Sequence, residues 1–174
     1  MTMTIHIPAP GIFHASLHSR LGYMRAVSDG HHLIRLDWDQ SPFAAPDRPD
    51  DVSRETCHQL AAYLAGERQT FTLPLRAAGI SATGQSWLTA MARIPYGTTM
   101  SYTDFATFAG KPKAPRTAGT ACSTNPIPVI YPCHRVVRSD GKLGNYGGGS
   151  SLPARHPDNL GRKQALIDLE RRFA

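Results

Sequence analysis

Apolar and polar residues alternate most clearly between Gly22 and Trp38. Tyr23, Arg25 and Val27 lead into Ser28-Asp29-Gly30, and Leu33, Arg35 and Asp37 then interleave with Ile34, Leu36 and Trp38. A period of two on both sides of an Asp-Gly turn signal predicts a β-hairpin. Upstream, residues 1–17 carry proline and histidine without a sustained period and read as irregular or as a frayed first strand. Downstream, Pro42, Pro46 and Pro49 mark a loop, after which the period lengthens. Cys57, Leu60, Ala61 and Leu64 recur at helical spacing, with Asp51 and Ser53 as candidate N-caps and Gly66 as the stop. Residues 71–83, with Pro74 and Gly79, read as a linker.

From Gly84 onward the pattern is helical. Trp87, Leu88, Met91 and Ala92 share one face, and Ile94-Pro95-Tyr96-Gly97 ends that helix in a turn. Ser101 stands three residues before Asp104, a capping-box-like start to a short helix through Phe105 and Phe108 that Gly110 closes. After the basic turn Lys111-Pro112-Lys113, a second helix starts near Pro115 and runs through small residues: Thr117, Ala118, Gly119, Thr120, Ala121 and Cys122. Two short helices around a tight turn outline a helix-turn-helix, a weak signal taken alone. The expected organisation is an amino-terminal α/β lobe with its linker, residues 1–83, and a second domain, residues 84–174.

Composition narrows the class. At 174 residues, 41% hydrophobic and 18% charged, with only short apolar runs, the chain suits a folded globular protein and neither disorder nor a membrane span. Thr2, Thr4, His6 and Pro8 interrupt any leader-like apolar run, which predicts an intracellular protein, cytoplasmic or, in a eukaryote, nuclear. Three widely spaced cysteines, Cys57, Cys122 and Cys133, argue against a disulfide scaffold, and none lies at metal-clip spacing, so no metal is expected. Charge divides the chain unevenly. Residues 1–85 hold 7 Lys+Arg against 8 Asp+Glu, while residues 86–174 hold 12 against 5, so the whole excess of +6 lies in the second half. A basic half on a neutral carrier fits a polyanionic partner; a solvated basic face is the plainer alternative.

Pro132-Cys133-His134-Arg135-Val136 carries the most chemistry. A thiol is a useful nucleophile only as thiolate, and an imidazolium nearby lowers its pKa. In an extended strand Cys133 and His134 would point to opposite faces, so they cooperate only through a turn at Pro132 or a bridging water. A buried thiol beside a structural histidine is the plainer reading of the dipeptide.

The run has company in one fixed order: Ile94-Pro95-Tyr96-Gly97, Ser101-Tyr102, Arg116, Asn125-Pro126, the Pro132–Val137 run, Asn145-Tyr146-Gly147-Gly148-Gly149, and Leu166-Ile167-Asp168-Leu169-Glu170. This series resembles the O6-alkylguanine-DNA alkyltransferase family, in detail over about the last 85 residues and more loosely over the first lobe. The resemblance implies a small ribonuclease-H-like amino-terminal lobe and a mostly helical carboxy-terminal lobe with a winged helix-turn-helix-like DNA-binding unit. It implies repair of O6-alkylguanine, with O4-alkylthymine as a further candidate lesion. The base is flipped from duplex DNA and its alkyl group moves irreversibly to a cysteine, in one turnover and without cofactor.

Carried onto this chain, the resemblance makes Cys133 the acceptor, His134 the base acting through water, and Glu170 the carboxylate that orients it. Asn125 becomes the hinge residue, and Tyr102 the hydroxyl that helps rotate the target phosphate and donates to the purine. Arg116 would fill the space left by the flipped base, with Lys113, Tyr102, Ala118 and Gly119 at the DNA and the helix in the minor groove. Val136, Tyr146, Gly147 and Gly148 would line the lesion pocket. A monomer is implied, with cooperative assembly on DNA left open.

Two departures stand out. Thirteen residues, Ser150 to Arg162, separate Gly149 from Lys163 where many relatives have about three, which predicts a longer loop over the alkyl pocket; Pro115 replaces the small or branched residue common before the arginine. Three other readings compete. A non-reacting damage sensor would lack the thiol that Cys133 supplies, a methyl-responsive regulator needs a zinc-bound cysteine cluster, and a Cys-His-Glu hydrolase would turn over repeatedly.

Overall fold

The structure, a computed structural model, describes residues 11–174. Of the segment read as irregular or frayed, residues 1–10 lie outside the described residues, while Phe13–Ser19 forms a full strand, β1. It pairs antiparallel with β2 (Gly22–Ser28), which pairs antiparallel with β3 (Leu33–Asp39), giving the order β1-β2-β3. The Asp29-Gly30 turn joins β2 and β3, as the alternation predicts, with Asp29 Oδ1 accepting from the N–H groups of His31 and His32. Leu33, Leu36 and Trp38 point into the core, while Arg35 and Asp39 face solvent.

Helix α1 (Asp51–Leu64) lies on this sheet. Its N-cap is Asp50, neither Asp51 nor Ser53: Asp50 accepts from Ser53 N, and Ser53 Oγ accepts in return from Asp50 N at 3.0 Å. Extended backbone at Asp50 lets its carboxylate reach the third helical residue, which Asp51, already helical, cannot do. The buried face also differs from the apolar reading. Thr56, Gln59, Leu60 and Tyr63 point inward and Ala61 is exposed.

The segment read as a linker docks on the edge of the sheet. Leu75 bridges β3 in parallel at Leu33, with Leu33 N donating to Pro74 O at 2.7 Å and Arg76 N to Leu33 O at 2.9 Å. Further along the same edge, Leu36 N donates to Pro126 O at 2.9 Å and Trp38 N to Gly149 O at 2.7 Å. An edge strand left open would expose unpaired N–H groups. Here the linker and two carboxy-terminal loops occupy that edge, so the first lobe fixes both loops. Gly149 has φ +75°, and a Cβ there would lie 2.1 Å from Leu36 O, so only glycine permits this docking.

The remaining elements are α2 (Ala82–Met91), β4 (Met100–Ser101), α3 (Tyr102–Phe108), α4 (Pro115–Ser123), β5 (Val136–Val137) and α5 (Pro157–Phe173). Ser81 caps α2 and Ser101 caps α3, each through its hydroxyl to the third helical N–H, and Pro115 opens α4. Strands β4 and β5 pair in parallel, tying the helix pair α3 and α4 to the chain that follows Cys133. Trp87, Leu88, Met91, Phe105, Ala118 and Cys122 join Leu36, Trp38, Leu60 and Leu166 in one continuous core.

Candidate functional site

The chain around Cys133 is a tight turn rather than a strand. Cys133–Arg135 forms one turn of 3-10 helix, entered from Pro132 and leaving directly into β5. The chain turns at Pro132, so adjacent side chains diverge less than across a strand. Asn125, fully buried at the end of α4, braces this turn: its Nδ2 donates to Tyr131 O at 2.8 Å and to Cys133 Sγ at 3.3 Å, and its Oδ1 accepts from Ile127 N at 3.0 Å. Between them Val129 has φ +73°, a left-handed conformation that costs a β-branched residue about 1–3 kcal/mol and persists only where its surroundings dictate it. Asn125 and the Tyr131 N to Ile127 O bond at 3.0 Å are those surroundings.

His134 and Glu170 meet although 36 residues apart, Nε2 to Oε1 at 2.8 Å. Glu170 is a hub. Arg135 donates to it from Nε at 2.9 Å and Nη2 at 2.7 Å, Tyr63 Oη at 2.7 Å, and Gly97 N at 3.2 Å. Burial alone would raise the carboxyl, but the hydrogen bonds from His134 and Arg135 outweigh it and hold Glu170 well below the usual carboxylate range. Burial lowers His134, against the pull of Glu170, and so keeps the imidazole neutral. Burial likewise raises the Cys133 thiol, only partly offset by the Asn125 hydrogen bond and the positive Lys163. The resting pair is thus a thiol and a neutral imidazole whose Nδ1 is buried without a protein partner. A neutral imidazole is the form able to accept a thiol proton.

Helix α5 aims two groups into the site. Lys163, Leu166, Ile167 and Glu170 recur at i, i+3, i+4 and i+7, so they share its inner face. Lys163 is fully buried and donates to Val136 O at 2.6 Å, Leu143 O at 2.5 Å and Asn145 O at 3.1 Å, pinning β5 to the glycine-rich loop. Val136 O, assigned to the lesion base, is therefore already engaged through one of its two lone pairs. Tyr102 Oη accepts from Asn145 N at 3.2 Å, and burial pushes the phenol up to about 12, leaving its own proton available to donate. Gly144 lies against that hydroxyl; a Cβ there would come within 2.6 Å of it.

Tyr146 is buried and meets Trp38 edge-on, with ring centroids 6.1 Å apart. Gly148 packs on Asn125 O. Gly147 faces the long loop: a Cβ on it would lie 3.2 Å from Ala154 Cα, and Tyr146 N donates to Ala154 O at 2.8 Å. Residues 150–156 thus fold back over the glycine run, held by Asn159 Nδ2 on Leu152 O and Pro153 O. Cys133 itself has no exposed surface.

On α4, Arg116 and, just before the helix, Lys113 are exposed, and Gly119 lies half-buried about 3.9 Å, measured from a Cβ position, from the Tyr102 ring. Ala118 is the exception among the residues assigned to DNA. It is fully buried in the core, so its small size lets α4 pack closely against the protein and does not serve contact with DNA. Arg135, Tyr63 and Lys163 were not singled out from the sequence. Arg135 stood inside the quoted motif, and Lys163 lies seven residues before Glu170, but Tyr63 carried no signal.

A family model described as the 6-O-methylguanine DNA methyltransferase DNA binding domain matches residues 83–172, and that family's ribonuclease-like domain matches residues 12–77. The chain belongs to the 6-O-methylguanine DNA methyltransferase family. Among its relatives, the methylated-DNA–protein-cysteine methyltransferase of Mycobacterium tuberculosis (strain ATCC 25618 / H37Rv) is 36% identical over 97% of this chain and 90% of the relative. The constitutive enzyme of that name from Bacillus subtilis (strain 168) is 38% identical over 80% and 88%. The crystal structure of Mycobacterium tuberculosis OGT in complex with DNA matches with TM-score 0.76 at 33% identity, covering 92% of this chain and 94% of that one. The mixed α/β architecture of this methyltransferase, a small sheet followed by a mostly helical part, is the one expected. Among the described residues no helix is long and apolar enough to cross a membrane, and no cluster of His, Cys, Asp or Glu is placed to hold a metal ion.

Proposed function

We propose that this methyltransferase repairs alkylated DNA by moving the alkyl group of a flipped O6-alkylguanine to Cys133 Sγ. The observation that carries the reading is the buried chain Cys133, His134, Glu170, with a neutral imidazole held by an ionised carboxylate beside the turn that bears the thiol. The thiol proton passes through a water to His134 Nδ1, and Glu170 stabilises the imidazolium that forms. The S–C bond forms as the C–O6 bond breaks, and the guanine leaves with its charge neutralised by the Tyr102 proton. The product is a thioether with no acyl carbon for water to attack, so each molecule acts once.

Duplex DNA hides O6 inside the stack, and extruding the base costs a few kcal/mol. Exposed Arg116 on α4 supplies a planar cation to occupy the vacated position, and Lys113 a phosphate contact. Gly119 and the small exposed residues Thr117 and Thr120 favour close approach of α4 to the minor groove. The lesion binds between Tyr102 and residues 145–148, with Val136 O and the Gly147 N–H as its backbone partners. The division at residue 83, the lone protomer as acting unit and tolerance of O4-alkylthymine belong to the same reading. Peptide mass spectrometry after incubation with a duplex carrying one O6-methylguanine tests it: one methyl group on Cys133, absent in Cys133→Ser, is expected. Preferential lesion binding without transfer would instead make the chain a sensor.

A further inference from the structure

The amino-terminal lobe has no role in the chemistry described so far, yet one of its side chains reaches the centre. Tyr63, on the last turn of α1, is fully buried; its hydroxyl donates to Glu170 Oε1 at 2.7 Å and stands 3.4 Å from His134 Nε2. We propose that Tyr63 is a positioning residue for alkyl transfer, holding the Glu170 carboxylate against His134 Nε2 so that Nδ1 is the proton-accepting nitrogen. This rests on the reading of His134 as the base.

A phenol has one proton to donate. Glu170 is ionised and can only accept, so at 2.7 Å the Tyr63 proton is committed to it. His134 Nε2 then faces two oxygen acceptors, Glu170 Oε1 at 2.8 Å and the lone pairs of Tyr63 Oη, and must itself carry the hydrogen. That leaves Nδ1, the nitrogen without a protein partner, with its lone pair free. The phenol also stays protonated, because burial and then the negative Glu170 push it far above its ordinary range. The ring is wedged between Phe71, 5.3 Å between centroids, and Tyr96, edge-on at 6.1 Å. The hydroxyl is therefore delivered by the packing of the first lobe.

Tyr63→Phe keeps that packing and removes only the hydroxyl. Glu170 Oε1 then retains more charge, holds the imidazolium more firmly, and keeps His134 protonated to higher pH. The other groups facing the pair remain: Arg135 and Cys133 on the turn, Lys163 on α5, and Tyr96 after α2. The test compares the full chain and Tyr63→Phe in single-turnover methyl transfer across the neutral and alkaline range, with ¹⁵N spectra of the histidine ring in both proteins. We expect a folded variant with unchanged DNA affinity. Its rate should be down roughly tenfold at neutral pH, a small part of the 10²–10⁴-fold a positioned base contributes, and recover as pH rises. In the wild type, His134 should carry its hydrogen on Nε2.

A folded variant with the wild-type rate and pH profile would overturn the proposal. So would a wild-type His134 protonated at Nδ1, a result that does not depend on the variant folding. If wild-type protein puts no methyl group on Cys133, the reading of the site fails, and the ring spectra still decide what Tyr63 does.

Discussion

Glu170→Gln changes one atom and should damage both stability and rate. Whichever end of the side chain the amide nitrogen takes, it opposes Arg135: at the Oε1 position it meets Nη2, 2.7 Å away, and at the Oε2 position it meets Nε, 2.9 Å away, as well as Gly97 N. Arg135 is 7% exposed and would be left as a buried charge without its counter-ion. Breaking such a pair costs about 3–5 kcal/mol. For a chain of this size each kcal/mol lowers Tm by roughly 2–4 °C, so differential scanning calorimetry should register a fall of about 6–20 °C. Methyl transfer, measured at a temperature where both proteins are folded, should slow by about 10²-fold or more, because the imidazolium loses its carboxylate partner. A variant melting within about 2 °C of wild type and reacting within about threefold of its rate would refute this account of Glu170.

Stability should fall with acid in two stages. His134 is held below its ordinary value, so below about pH 6.5 the unfolded chain binds the extra proton and the native state loses ground as pH falls. Glu170 is held low, so its contribution is complete above about pH 4.5 and is lost as pH falls further. Urea midpoints should therefore decline between about pH 7 and 5, and His134→Gln should flatten that decline; an unchanged slope would locate the proton elsewhere. Arg116→Ala should impair repair of duplex far more than reaction with O6-benzylguanine free base, since only the duplex must be opened; equal losses would give Arg116 a different task. Replacing residues 150–156 by a short glycine link should raise the benzyl-to-methyl rate ratio, because Ala154 packs on Gly147. An unchanged ratio would remove the loop from substrate selection.

Much of the local structure was legible because short-range chemistry dictates it. The Asp29-Gly30 hairpin, the Ser101 cap, Pro115 at the start of α4 and the Pro132–Val137 run all follow from residues within a few positions of one another. The α1 cap is Asp50 rather than Asp51 or Ser53: all three qualify by type, and only the backbone at Asp50 decides among them. Pro74 and Gly79 signal a break, but the docking of that linker was not legible, because the edge of β3, distant in sequence, supplies its hydrogen-bond partners.

The site divides along the same line. The sequence alone determined which residue types are present for the proposed alkyl transfer, Cys133, His134, Glu170, Asn125 and Tyr102, and that the cations gather in the second half. Only the tertiary structure decided their states. Burial keeps Cys133 a thiol and His134 neutral, Arg135 and Tyr63 hold Glu170 in place, Lys163 ties β5 to the glycine-rich loop, and Ala118 turns to the core. Protonation and orientation depend on dielectric and on hydrogen-bond partners gathered from α1, the Pro132 turn and α5, up to 107 residues apart, and no local pattern along the chain encodes them.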